Sequence, residues 1–150
     1  MESVKQRFCE LSTLVAGVHQ IFDQLCGDSG GYACLDEDTF YRAKLAAHEW
    51  AANLVQHASF DNRKPEVDVD VWPNGNKIEC VFEDNSDGFD LDSILEQRSN
   101  GLSPLPERGM GLLMLSACTS ELSYEKTEGG IYRLRFSVHS EADPWLNIPF

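Results

Sequence analysis

From Glu66 the chain alternates: VDVDVW, then KIECVFE, with Pro73–Asn76 (PNGN) between them. Apolar residues at every second position give a strand one dry face and one wet face. The Pro-Asn-Gly-Asn stretch is a hairpin turn signal. A hairpin dry on one face is marginal alone in water, so other elements must cover it. The preceding sequence offers two. Residues 3–26 carry Val4, Phe8, Leu11, Leu14, Val15, Val18, Ile21, Phe22 and Leu25 at helical spacing, with Gly27 as a stop. A second helix is expected from Asp36, a good N-cap with acids following it, to about Ala58.

Downstream, residues 92–107 are rich in Ser, Asn, Gly and Pro and read as a long loop, the right kind of segment for a mobile lid. GLLMLSAC (Gly111–Cys118) reads as a short buried helix, and SELSYE and IYRLRFSV as a second hairpin across KTEGG. The order α, α, β, β, loop, α, β, β predicts an α/β two-layer sandwich, with helices on one face of a mixed, mainly antiparallel sheet. The tail EADPWLNIPF, apolar for a terminus, is expected to pack back on the body.

Composition narrows the function classes. At 150 residues and 42% apolar content, one globular domain spanning 1–150 is expected. No apolar run reaches the roughly 18 residues of a membrane span, and MESVKQRF lacks a signal-peptide pattern, so no membrane and a cytoplasmic location are expected. The five cysteines include no CxxC pair, which argues against a disulfide framework or zinc knuckle and makes most of them small core residues. A net charge of −13 opposes nucleic-acid binding, which needs a basic face. It leaves ATP open, since backbone amides and one magnesium ion can reverse the field locally.

Three segments carry chemistry. EDNSDGFD (residues 83–90) sets Asp84, Asp87 and Asp90 around Gly88. It is no EF-hand: with Gly88 at the sixth loop position, the twelfth ligand would be Ile94, which has no side-chain oxygen. HEWAANLVQH (His48–His57) begins like a zinc-protease helix but has Ala52 where the second histidine belongs. It does place Glu49, Asn53 and His57 four residues apart, along one helical stripe. ERGMGLLML (Glu107–Leu115) puts Gly109 and Gly111 around Met110 just ahead of an apolar helix. There, backbone amides and the helix dipole favour an anion and Arg108 adds a donor.

Taken in order, E-x3-N-x3-H on a helix, D-x-S-x-G after a strand and R-G-x-G before a helix resemble the three boxes of the GHKL ATPase superfamily, which shares the Bergerat, or histidine-kinase-like ATPase, fold. Within it the chain is most similar to the anti-sigma-factor serine/threonine kinases, over roughly residues 36–139. The resemblance implies that Asn53 holds Mg2+ through its amide oxygen and that Glu49 is the general base. It also implies that Asp84 accepts from the adenine amino group, that Ser86 and Gly88 shape the turn beside the base, and that Arg108, Gly109, Met110 and Gly111 cradle phosphates. His57 would close the helix C-terminus, and Asp87 and Asp90 would be turn residues. Ser86 stands where the family has a glycine, which fits if φ there is below zero.

The function implied is ATP- and Mg2+-dependent transfer of a phosphoryl group to a serine or threonine of an anti-sigma-factor antagonist, as a partner-switching regulator of a sigma factor. The alternative is a non-catalytic, nucleotide-gated or nucleotide-free module that sequesters a partner. In the family the N-terminal edge contributes to dimers, so a homodimer is among the implied states. In this sequence no strand precedes the first helix on the periodicity reading.

Overall fold

The computed structural model describes residues 3–27, 36–99 and 106–140, with side chains undescribed at 26–27, 97–99 and 106–110. Five strands form one sheet: β1 (Val4–Phe8), β2 (Val67–Asn74), β3 (Lys77–Asp84), β4 (Glu121–Lys126) and β5 (Tyr132–His139). Their spatial order is β1-β2-β3-β5-β4, and every pairing is antiparallel. Four α-helices complete the two-layer sandwich: α1 (Leu14–Gly27), α2 (Glu37–His57), α3 (Leu91–Ser99) and α4 (Pro106–Cys118).

Alternation decides the layers. Val67, Val69 and Val71 of β2, Ile78, Cys80 and Phe82 of β3, and Leu134, Phe136 and Val138 of β5 are all buried, facing Phe22 and Trp50 from the helices. The opposite face is a lattice of cross-strand ion pairs: Arg7–Asp68 at 2.8 Å, Arg133–Glu83 at 2.9 Å and Arg135–Glu79 at 3.0 Å. Pairs with exposed heads, such as Arg7–Asp68, contribute little stability each, whereas Glu79 is buried under Arg135; together these charges keep the uncovered face wet.

The second helix begins and ends as the sequence predicts. Asp36 accepts from the Thr39 N–H at 2.6 Å, and Ala58 is the C-cap. Ser140 also donates to Asp36, at 3.1 Å, tying the end of β5 to the start of α2. Cys80 lies in the core, while Cys9 is exposed and Cys118 half-buried, so burial is not general among the cysteines; Cys34 and the Cys26 side chain lie outside the described residues.

Three expectations need correction. The helix expected over 3–26 starts only at Leu14; Val4–Phe8 is a strand paired with β2, and Leu11–Thr13 is a single 3-10 turn. Val4, Phe8 and Leu11 satisfy helical spacing, but the backbone donors and acceptors along the edge of β2 are better satisfied by a fifth strand. Phe8 fastens that strand by lying so close to Gly17 of α1 that a Cβ there would sit 2.1 Å from its ring. The loop expected over 92–107 is helical at Leu91–Ser99, capped by Asp90, which accepts from Ser93 N–H at 3.2 Å. Leu91 is buried and Ile94 and Leu95 pack against the core, an i, i+3, i+4 pattern. Finally, α4 begins at Pro106, so Gly109 and Gly111 lie inside the helix rather than ahead of it. Residues 100–105 and the tail 141–150 lie outside the described residues.

Candidate active site

The stripe on α2 is the first component. Trp50 and Leu54 point into the core, which turns Glu49, Asn53 and His57 toward α4. Glu49 is half-buried, His57 is exposed, and Asn53 retains only 6% of its surface. The Asn53 side-chain nitrogen is buried without a hydrogen-bond partner. Since the two ends of an amide are interchangeable in assignment, what is established is a buried carboxamide with an unused polar end. A buried polar group left unpaired costs about 1–3 kcal/mol, so a ligand that satisfies it gains that much.

Gly111 forms the opposite wall. The Glu49 carboxylate reaches across from α2, and a Cβ at Gly111 would lie 2.6 Å from its Oε2. Between the two helices lies a cleft of about 300 Å3, with His48, Glu49, Asn53, His57 and Gly111 among its lining residues. His48 is held from behind by His19, ring nitrogen to ring nitrogen at 2.8 Å, and burial lowers the His19 pKa below its ordinary value. Helix α4, which contributes Gly111 and Leu112 to this cleft, starts at Pro106, and the first four N–H groups of a helix have no intrahelical partner. The side chains of Arg108, Gly109 and Met110 lie outside the described residues.

Substitution at Gly111 separates architecture from chemistry. Gly111→Ala is expected to leave the melting temperature unchanged or raised, because alanine is favoured over glycine inside a helix by up to about 1 kcal/mol. The added methyl displaces the flexible end of Glu49 rather than any backbone. A displacement of that size should lower any reaction using that carboxylate by up to about 100-fold. Thermal melts and turnover on the same preparation check both halves.

Asp84 is buried by register. Ile78, Cys80 and Phe82 face the core, and one step further the same alternation carries Asp84 onto that face at 2% exposure. Its Oδ1 accepts from Ser86 N–H at 2.9 Å, whereas Oδ2 is buried without a partner. Burial raises its pKa above the ordinary carboxylate value, against the hydrogen bonds from Ser86. Asp61 is the one positive-φ non-glycine residue among those described, so Ser86 avoids the left-handed region and is tolerated there. Its hydroxyl accepts from Gly88 N–H at 3.1 Å, and Gly88 takes the left-handed φ of 78°, which glycine adopts without strain.

The rest of the turn is anchored outside the site. Asp87 pairs with Arg63, and its N–H donates to the Ser59 carbonyl at 2.8 Å. Asp90 caps α3, so both behave as turn residues. Sequence reading missed Tyr124 and Tyr132, which stack at 5.5 Å between ring centroids, and the edge of Trp50 meets Tyr124 at 5.2 Å. Phe89 N–H donates to the Tyr124 hydroxyl at 3.2 Å. Their positions in alternating strands were legible; their proximity to Asp84 was not.

The buried Asn53 carboxamide and the Glu49 carboxylate at its glycine wall share one cleft, and the second partnerless buried end, at Asp84, lies outside that cleft. The family model for the histidine kinase-like ATPase domain matches residues 15–136, and the chain belongs to that family. It is therefore a member of the GHKL superfamily, with the corresponding α/β sandwich. Among characterised relatives, the serine-protein kinase RsbW of Bacillus velezensis is 30% identical over 91 residues, 57% of each chain. That of Bacillus subtilis is 26% identical over 91 residues, again 57% of each chain. The serine-protein kinase RsbW of Oceanobacillus iheyensis is 24% identical over 106 residues, 67% of each chain. The matched stretch thus covers little more than half the length of the Bacillus relatives. In fold, the nucleotide-free catalytic domain of the histidine kinase ThkA superposes with a TM-score of 0.51, covering 93% of this chain and 99% of that one at 13% identity. No described helix is long and apolar enough to cross a membrane.

Proposed function

We propose that the chain binds ATP with Mg2+ between α2 and α4 and transfers the γ-phosphoryl group to a serine or threonine of a partner protein, of the anti-sigma-factor antagonist kind. The observation that carries this reading is the buried Asn53 carboxamide, with an unused polar end, on a glycine-walled cleft beside Glu49, and a second buried, partnerless end at Asp84 supports it. The relatives named as serine-protein kinases support the choice of acceptor.

Each residue has a chemical task in this reading. Asp84 Oδ2 accepts from the exocyclic amine of adenine, a donor that guanine replaces with a carbonyl oxygen. Asn53 fits as the single protein ligand of the metal ion. Among the described residues no cluster of three His, Cys, Asp or Glu side chains is gathered for a metal, so phosphate oxygens would complete the shell. Bound there, Mg2+ supplies neutralisation of charge on the phosphates. Glu49 takes the proton of the attacking hydroxyl as the new P–O bond forms and the bond to the ADP oxygen breaks. The start of α4 offers backbone amides to phosphate. Ser86 gives no support to a non-catalytic alternative, since its backbone is unstrained and its hydroxyl is part of the turn.

Calorimetric titration with a non-hydrolysable ATP analogue is expected to show saturable binding that requires Mg2+, with no binding of the GTP counterpart. γ-Labelled ATP should then label a serine or threonine of an antagonist-type protein. Absence of nucleotide binding would overturn the proposal. Binding without labelling of any partner would leave a nucleotide-gated sequestering module.

A further inference from the structure

Beside the base-reading carboxylate, one described side chain is set against the glycine of the turn. The cleft between α2 and α4 reaches Glu49, Asn53 and Gly111, but neither Asp84 nor Gly88 lines it. Asp84 Oδ2 is sealed from solvent as well as partnerless. Directly across the β3–β5 ladder from Asp84 stands Tyr132, so both side chains leave the same face of the sheet. The tip of the Tyr132 ring lies on Gly88: a Cβ there would be 2.3 Å from Cζ. Gly88 therefore already has a flat group against it. The ring is backed by Tyr124, and the Lys126 ammonium sits over it, 5.7 Å from its centroid.

We propose that Tyr132 is a gate over the base-reading carboxylate, and that an adenine base reaches Asp84 only after the ring leaves Gly88. The inference rests on the adenine-nucleotide reading above. Two planar groups cannot share the space over Gly88, so bound base and seated ring exclude each other. The ring has somewhere to go. Tyr132 is half-buried on β5, and in a strand both common χ1 settings are accessible. Tyr124 stays behind, since its hydroxyl holds the Phe89 amide and its ring meets Trp50. In this arrangement Asp84 sets which base is accepted, and Tyr132 sets how tightly any adenine nucleotide is held. Apparent affinity falls by the fraction of molecules whose ring is open.

The test is calorimetric titration of Mg-ADP into the wild type, Tyr132→Ala, Tyr132→Leu and Tyr132→Phe. Leucine keeps apolar bulk at the strand, so it guards against an alanine variant that fails to fold, yet it cannot reach Gly88 as the ring does. If a tenth of the molecules are open, the Ala and Leu variants should bind about tenfold tighter, with Phe close to wild type because it keeps the ring. Unchanged or weaker binding in both Ala and Leu, with the wild type still binding, would overturn the gate and leave the nucleotide reading standing. No ADP binding by any of the four would overturn both.

Discussion

Glu49→Gln is expected to lower phosphotransfer by about 10²–10⁴-fold, the usual contribution of a positioned proton acceptor. Nucleotide affinity should stay within a few-fold of wild type. Glutamine matches the shape of glutamate and keeps its hydrogen-bonding reach, but it cannot take a proton at neutral pH. The position favours a clean result. Glu49 lies mid-α2, with its carboxylate directed at Gly111 and outside the apolar cluster, so the exchange leaves the packing of Trp50 and Leu54 intact. Single-turnover transfer from γ-labelled ATP, with ADP titration alongside, separates the two quantities. An unchanged transfer rate would move the proton to another group. A variant and wild type that both regulate a partner with no transfer at all would identify the sequestering module.

Asp84→Asn should act on stability and binding in opposite directions. The folded-state pKa of Asp84 is raised, first by burial, which outweighs its hydrogen bonds from Ser86. A raised carboxyl pKa means that the fold prefers the protonated form. Its contribution is therefore fully present below the ordinary carboxylate pKa and is lost as pH rises through the raised value. At neutral pH that preference makes the buried, half-partnered carboxyl a cost to the nucleotide-free protein. Removing the charge should recover ~1 kcal/mol, or about 2–4 °C in melting temperature for a chain of this size, and the gain should vanish toward pH 4. Adenine affinity should fall by about 10–100-fold, the loss of a directional hydrogen bond to the Asp84 carboxyl oxygen. Melts between pH 4 and 8 with parallel titrations check both. A variant that melts lower than wild type at neutral pH would sink the account of Asp84 as a site residue held at a cost to the fold.

Much of the site was legible because it follows from periodicity. The alternation of Ile78, Cys80 and Phe82 continues to Asp84 without knowledge of any other strand, and a polar residue at such a step is buried. The four-residue spacing of Glu49, Asn53 and His57 places them on one stripe of a helix whose cap, Asp36, is also a local signal. Local rules failed where two of them agreed with the same residues. Val4, Phe8 and Leu11 fit a helix by spacing, and the edge of β2 claimed the segment as β1. The Ser-, Gly- and Pro-rich composition of 92–107 hid α3, although Asp90 and the spacing of Leu91, Ile94 and Leu95 announce it. The glycines at 109 and 111 signalled a loop, yet α4 runs through them, and the Glu49 carboxylate lies where a Gly111 side chain would be.

The sequence by itself determined the residues that carry charge and polarity into the site, because local periodicity dictates which way a side chain leaves its own helix or strand. Only the tertiary structure decided what each meets there. The β3–β5 register sets Tyr132 opposite Asp84 and its ring on Gly88, and the packing of α2 on α4 sets Glu49 against Gly111. Both are contacts between segments far apart in the chain, and no local rule encodes the distance between them.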